Sequence, residues 1–122
     1  MTLIYAYQNR GLTEDITIVD ADGATVVPGV NDKVRVIIGR EGRLGVDLAD
    51  AQLVVVNDAP TANGSTFSKN TPSSGVNRLR LDASDLALIP FGSWTLFVDM
   101  LDNADSSEWK NVSRQVFVVE QT

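Results

Sequence analysis

Asp99, Asp102, Asp105 and Glu108, with Asn103 and Ser106 among them, form the densest run of oxygen-bearing side chains in the sequence. Oxygen ligands from a single loop are what calcium takes. The spacing lacks the central glycine and the correctly offset terminal glutamate of the helix-flanked calcium loop, so a solvated acidic turn is expected there and no metal site. Paired carboxylates such as Asp20 and Asp22 would serve glycosidic acid/base cleavage if held a fixed distance apart. Asp22-Gly23 is better explained as a turn, and Asp47 with Asp50, and Asp82 with Asp85, sit beside strand ends where short acidic side chains bond local backbone. Gly39, Gly42 and Gly45 surround Arg40 and Arg43 without the order of a phosphate-binding loop, and read as turn glycines.

The 122 residues contain no histidine and no cysteine. That removes the commonest general base, the commonest metal ligand, every serine or cysteine triad and every disulfide. No catalytic residue, no cofactor and no enzymatic activity are expected. The net charge is −6 with the ten basic residues scattered, the opposite of what nucleic acid or an anionic membrane surface attracts. No apolar run exceeds the six residues from Leu86 to Phe91, so no membrane-spanning helix is expected. The start Met1-Thr-Leu-Ile-Tyr5 lacks a basic n-region, and no secretory signal is expected.

Chemistry therefore gives way to architecture. Valine occurs 16 times and Val, Ile, Thr, Phe, Tyr and Trp together supply 39 residues, against seven for Glu plus Lys. β-branched and aromatic residues fit a pleated surface, so the balance favours strands. Twelve Asp and nine Gly mark many tight turns. Strands are expected at Leu3 to Tyr7, Asp15 to Asp20, Ala24 to Val27, Lys33 to Gly39, Val46 to Leu48, Ala51 to Asn57, Val76 to Leu81, Ser93 to Leu101 and Lys110 to Glu120. A further edge strand is expected near Ser65 to Lys69, and one helical turn within Asp82 to Ile89, capped by Asp82 or Ser84. The fold class is all-β: a single immunoglobulin-like or Greek-key β-sandwich of seven to eight short strands. Residues 14–122 form the sandwich, with a long loop at 58–75. Residues 1–13 form an N-terminal arm or an edge strand, and their apolar character favours an arm reaching a neighbouring subunit.

Several strands are apolar on both faces. Trp94, Leu96 and Val98 lie opposite Phe97 and Leu101; Val112, Val116 and Val118 lie opposite Phe117 and Val119; Val34, Val36 and Ile38 lie opposite Ile37. A solvated outer face would be polar, so the second face is expected to be covered by a partner or by copies of the chain. The candidate assembly residues are Leu3, Ile4, Tyr5, Tyr7, Phe97, Phe117 and Val119.

Three stretches carry a resemblance: Ile16-Thr-Ile-Val-Asp-Ala-Asp-Gly-Ala24, Leu81-Asp-Ala-Ser-Asp-Leu-Ala-Leu-Ile-Pro-Phe-Gly-Ser-Trp-Thr-Leu-Phe-Val-Asp99, and Arg114-Gln-Val-Phe-Val-Val-Glu120. A strand ending in Asp-x-Asp-Gly, a Pro-x-Gly-x-aromatic start to a long alternating strand, and a closing strand resemble the immunoglobulin-like sandwich domains of tailed-phage virion proteins. These include capsid decoration (cement) proteins and baseplate domains. The chain departs from antibody-type domains in lacking paired cysteines and in placing Trp94 late. The resemblance implies a non-enzymatic structural protein of the virion, assembled in the host cytoplasm and bound to its own copies and to a major capsid protein. The alternative is a carbohydrate- or receptor-binding module whose recognition surface is the 58–75 loop with Trp109.

Overall fold

The computed structural model describes residues 3–29, 31–40, 51–69, 77–101 and 108–120. Eight strands and one helical turn follow each other as β1 (Leu3–Tyr7), β2 (Leu12–Ile16), β3 (Lys33–Gly39), β4 (Leu53–Val56), β5 (Thr66–Ser68), β6 (Asn77–Leu81), α1 (Ala83–Leu86), β7 (Gly92–Leu101) and β8 (Lys110–Glu120). They form a five-stranded sheet, β1-β8-β7-β3-β4, and a three-stranded sheet, β2-β6-β5. The expected all-β sandwich is what the chain adopts. The expected strand at Val46 to Leu48, the acidic group at Asp102 and Asp105, the turn residues Gly42, Arg43 and Gly45, and the last part of the 58–75 loop lie outside the described residues.

The core lies between the sheets and is built by alternation. From the larger sheet come Ile4 and Ala6, Val34, Val36 and Ile38, Val55, Trp94, Leu96 and Val98, and Phe117 and Val119; Ile16, Ile18, Phe67, Leu79 and Leu81 answer from the other side. Side chains two apart on a strand share a face, and one face of each sheet is thereby committed to the core. α1 closes one end, with Asp82 capping it by accepting from the Ser84 amide at 2.9 Å. Leu86 and Ile89 enter the core from this segment.

Local chemistry sets the turn that follows β2. Asp20 Oδ1 accepts from the amides of Asp22 and Ala24, both at 2.9 Å, and Gly23 takes φ +85°, a left-handed value that glycine accepts without strain. The returning chain makes only a bridge, Val19 to Thr25, where a strand was expected at Ala24 to Val27. The strand expected at Asp15 to Asp20 is shifted toward the N-terminus, because Leu12 to Ile16 is the stretch that pairs with Leu81 to Asn77. Asn77, polar by type, is nonetheless buried, and its Nδ2 donates to the Ile16 carbonyl at 3.1 Å.

Two corrections concern the candidate assembly residues. β1 pairs parallel with the second half of β8, from Leu3 beside Val116 to Tyr7 beside Glu120. It is an edge strand of its own sheet and not an arm, because Ile4 and Ala6 find places in the chain's own core. In β8 the two faces are exchanged relative to expectation. The pairing of β7 with β8 shifts register between Val98 and Asp99, where Ser113 lies beside Val98 and Asn111 beside Asp99. Val112 is the extra residue of this bulge, and it packs against the core, as expected. Beyond it the inward parity switches to the odd-numbered residues. Phe117 and Val119 therefore point inward.

Candidate functional site

Among the described residues, several acidic side chains that invite a chemical role are occupied by structural bonds. Asp20 organises its turn and Asp82 caps α1. Asp15 pairs with Arg78 at 2.9 Å on the open surface. Asp99 Oδ2 lies 3.0 Å from Arg35 Nε, and its Oδ1 accepts from Asn111 Nδ2 at 3.1 Å. Glu108 is exposed. Among the described residues no three acidic, histidine or cysteine side chains gather as metal ligands.

Asp85 has the fullest set of partners. It is buried, and it accepts from Ser65 Oγ at 2.5 Å, Thr61 Oγ1 at 2.6 Å and Asn63 Nδ2 at 3.0 Å. Ser65 Oγ in turn accepts from the Asp82 amide at 2.8 Å, so the alternate residues 61, 63 and 65 of the loop are tied to α1 through one carboxylate. Burial pushes the Asp85 carboxyl upward, but the Ser65, Thr61 and Asn63 donors together outweigh it and hold the carboxyl below its ordinary range. A depressed folded-state value contributes stability above the unfolded value of about 4, and that contribution disappears as pH falls through the folded value. Asp85→Asn is expected to melt below wild type at pH 7. The gap between the two should narrow steadily as pH is lowered from about 5 to 2. A gap that is constant over this range rules out the carboxylate as its source.

The candidate assembly residues divide into two groups. Ile4, Phe117 and Val119 are buried in the main core. Phe97 is buried on the outer side of its sheet, where it forms a small second cluster with Ile37. Ala51 and Val54 pack against that cluster, so this stretch of the outer face is covered by the chain itself and needs no partner there. The remaining three are at the surface: Leu3 is 44%, Tyr5 49% and Tyr7 37% exposed. They alternate along β1 with the buried Ile4 and Ala6. Leu3 stands beside Val116 and Tyr5 beside Val118, both half-buried.

Two further exposed apolar residues belong with them. Leu88 and Phe91, in the link between α1 and β7, are 71% and 62% exposed. Gln8 Nε2 donates to the Ile89 carbonyl at 2.9 Å, which fixes that link against the end of β1. The sequence carried a signal for Leu88: a turn that buries Leu86 and Ile89, three residues apart, must turn Leu88 away.

The described part of the 58–75 loop and the Trp109 region hold two aromatic residues. Phe67 is buried, and the Arg35 guanidinium lies over the Trp109 ring, 4.4 Å from its centre. No family model and no curated protein matches the chain.

Proposed function

We propose that this protein is a non-enzymatic assembly module that binds copies of itself and a larger protein shell through the outer side of β1. The observation that carries the reading is the exposed row Leu3, Tyr5 and Tyr7 on an edge strand, extended by Leu88 and Phe91. Isolated exposed apolar residues are ordinary, but three at alternate positions along one edge strand make the kind of row that a partner covers. Tyrosine suits it, since the ring is buried on contact while the hydroxyl stays at the rim.

Two features support the more specific reading as a capsid decoration protein of a tailed phage. The strand orders β8-β7-β3 and β2-β6-β5 match the last, sixth and third strands, and the second, fifth and fourth, of an immunoglobulin-like sandwich. The second and third resembling stretches fall on β7 and β8, whereas the first, beyond Ile16, is a turn after β2 and not the end of a strand. The carbohydrate-binding alternative is less well supported, because Phe67, the aromatic residue within the 58–75 loop, is buried.

Sedimentation tests the reading. The wild-type chain is expected to form a concentration-dependent oligomer, and Leu3→Ser/Tyr5→Ser to stay monomeric. Each exposed substitution should change stability by no more than about 0.5 kcal/mol. Mass spectrometry of virions that encode the chain should find it at high copy number. A monomeric wild type that is absent from such virions overturns the proposal.

A further inference from the structure

A cleft of about 650 Å³ runs beside the first half of β8, lined by Asn111, Val112, Ser113, Arg114 and Gln115 on one wall and by Asp15, Thr17, Val19, Asp20 and Ala21 on the other. Five consecutive residues of one strand line a cleft only when it follows the strand's edge, because a sheet face shows alternate residues. The edge is open for a topological reason. β1 has five residues and β8 eleven, and β1 pairs only from Val116 onward. No described strand pairs with Asn111 to Gln115 on the side away from β7. The far wall continues from β2, which is the edge strand of the other sheet. The cleft thus occupies the place of one missing strand between the two sheets. Beside it, Gln115 Oε1 is shielded from solvent and accepts no hydrogen bond from any described residue, an arrangement that costs about 1–3 kcal/mol.

We infer that this edge is a docking groove for an extended polypeptide segment of a partner protein, which adds as a strand to β8 in line with β1. The adjoining half of the same edge already holds a strand, in parallel register, so the groove continues an existing pairing. Five residues of strand span about 16 Å, enough for backbone bonds to supply affinity while side chains reach the cleft walls. The walls hold Asp20, Arg114 and an Asp15 already paired with Arg78, so the preference for a segment of net positive charge comes from the chain's net charge of −6. This groove is separate from the exposed row on β1, and either can fail without the other.

The test uses a displayed library of random decapeptides, selected on the full chain and counter-selected on Thr17→Trp. That substitution fills the groove from an exposed position, and Ala21→Trp, also exposed, serves as a second filling variant. Selected peptides should be basic, bind the wild type at least tenfold more tightly than either variant, and bind Leu3→Ser/Tyr5→Ser as they bind the wild type. Hydrogen exchange should show new protection at amides within Asn111 to Gln115. The inference is overturned if no peptide survives counter-selection, if the survivors protect amides elsewhere, or if a glycan array instead yields a ligand that Thr17→Trp abolishes.

Discussion

Asp99→Ala should destabilise the protein by about 3–5 kcal/mol, the usual result of removing one partner from a buried ion pair. The Arg35 and Asp99 side chains retain only 12% and 7% of their exposure, so water does not replace the lost carboxylate. The guanidinium is also held against the Trp109 ring at 4.4 Å, which hinders its escape to solvent. Asn111 Nδ2 loses an acceptor at the same time, though it keeps the Val98 and Ser113 carbonyls, each at 3.3 Å. The pair itself need not be a large net gain over apolar residues of similar shape, because burying both charges costs several kcal/mol per ion. Arg35→Met/Asp99→Leu should accordingly recover most of what Asp99→Ala loses. Urea denaturation of the two single variants and the double measures this. A loss below about 1 kcal/mol for Asp99→Ala shows that the pair behaves like an ordinary surface salt bridge.

The same pair shows where sequence reading stops. Period-two alternation located β1, β3, β7 and β8 to within a residue, because each has one face in a core and the pattern is local. Trp94, Leu96 and Val98 face inward as that pattern requires. The fate of Phe117 and Val119 depends instead on a bulge opposite Val98 and Asp99, a property of two strands that neither reveals alone. Phe97 looked available because its own strand exposes it on the outer side. Its burial beside Ile37, with Val54 and Ala51 against them, is set by residues more than forty positions away. The row Leu3, Tyr5 and Tyr7 was legible as apolar, but that it lines an edge strand and not an arm follows from Ile4 and Ala6 meeting β8. The groove beside Asn111 to Gln115 was illegible for a similar reason: it exists because β1 stops short of the first half of β8, a mismatch of lengths visible only once the two are paired.

Trp94→Ala should cost about 3–5 kcal/mol, the range for truncating a large buried aromatic side chain. Trp94 is buried and belongs to the main core. It stands beside Phe117 across the strand pair, with the Arg40 guanidinium 4.6 Å from its ring centre. Its position is fixed from the preceding turn. Gly92 at φ +139° adopts a backbone conformation that side-chain-bearing residues rarely take, and the Trp94 Nε1–H donates to the Pro90 carbonyl at 2.8 Å. Slippage of β7 by one residue would break that bond, expose Trp94 and turn Asp99 into the core, so the register cannot adjust to heal the cavity. Trp94→Phe separates the contributions: it keeps most of the buried ring and loses the Pro90 bond, for about 1 kcal/mol beyond the lost volume. The total stability of a domain is about 5–15 kcal/mol, so Trp94→Ala removes a large fraction of it. At roughly 4 °C per kcal/mol its melting temperature should fall by more than about 10 °C. Calorimetry decides the matter, since a Trp94→Ala variant that melts within about 4 °C of wild type would mean that this ring does not anchor the core.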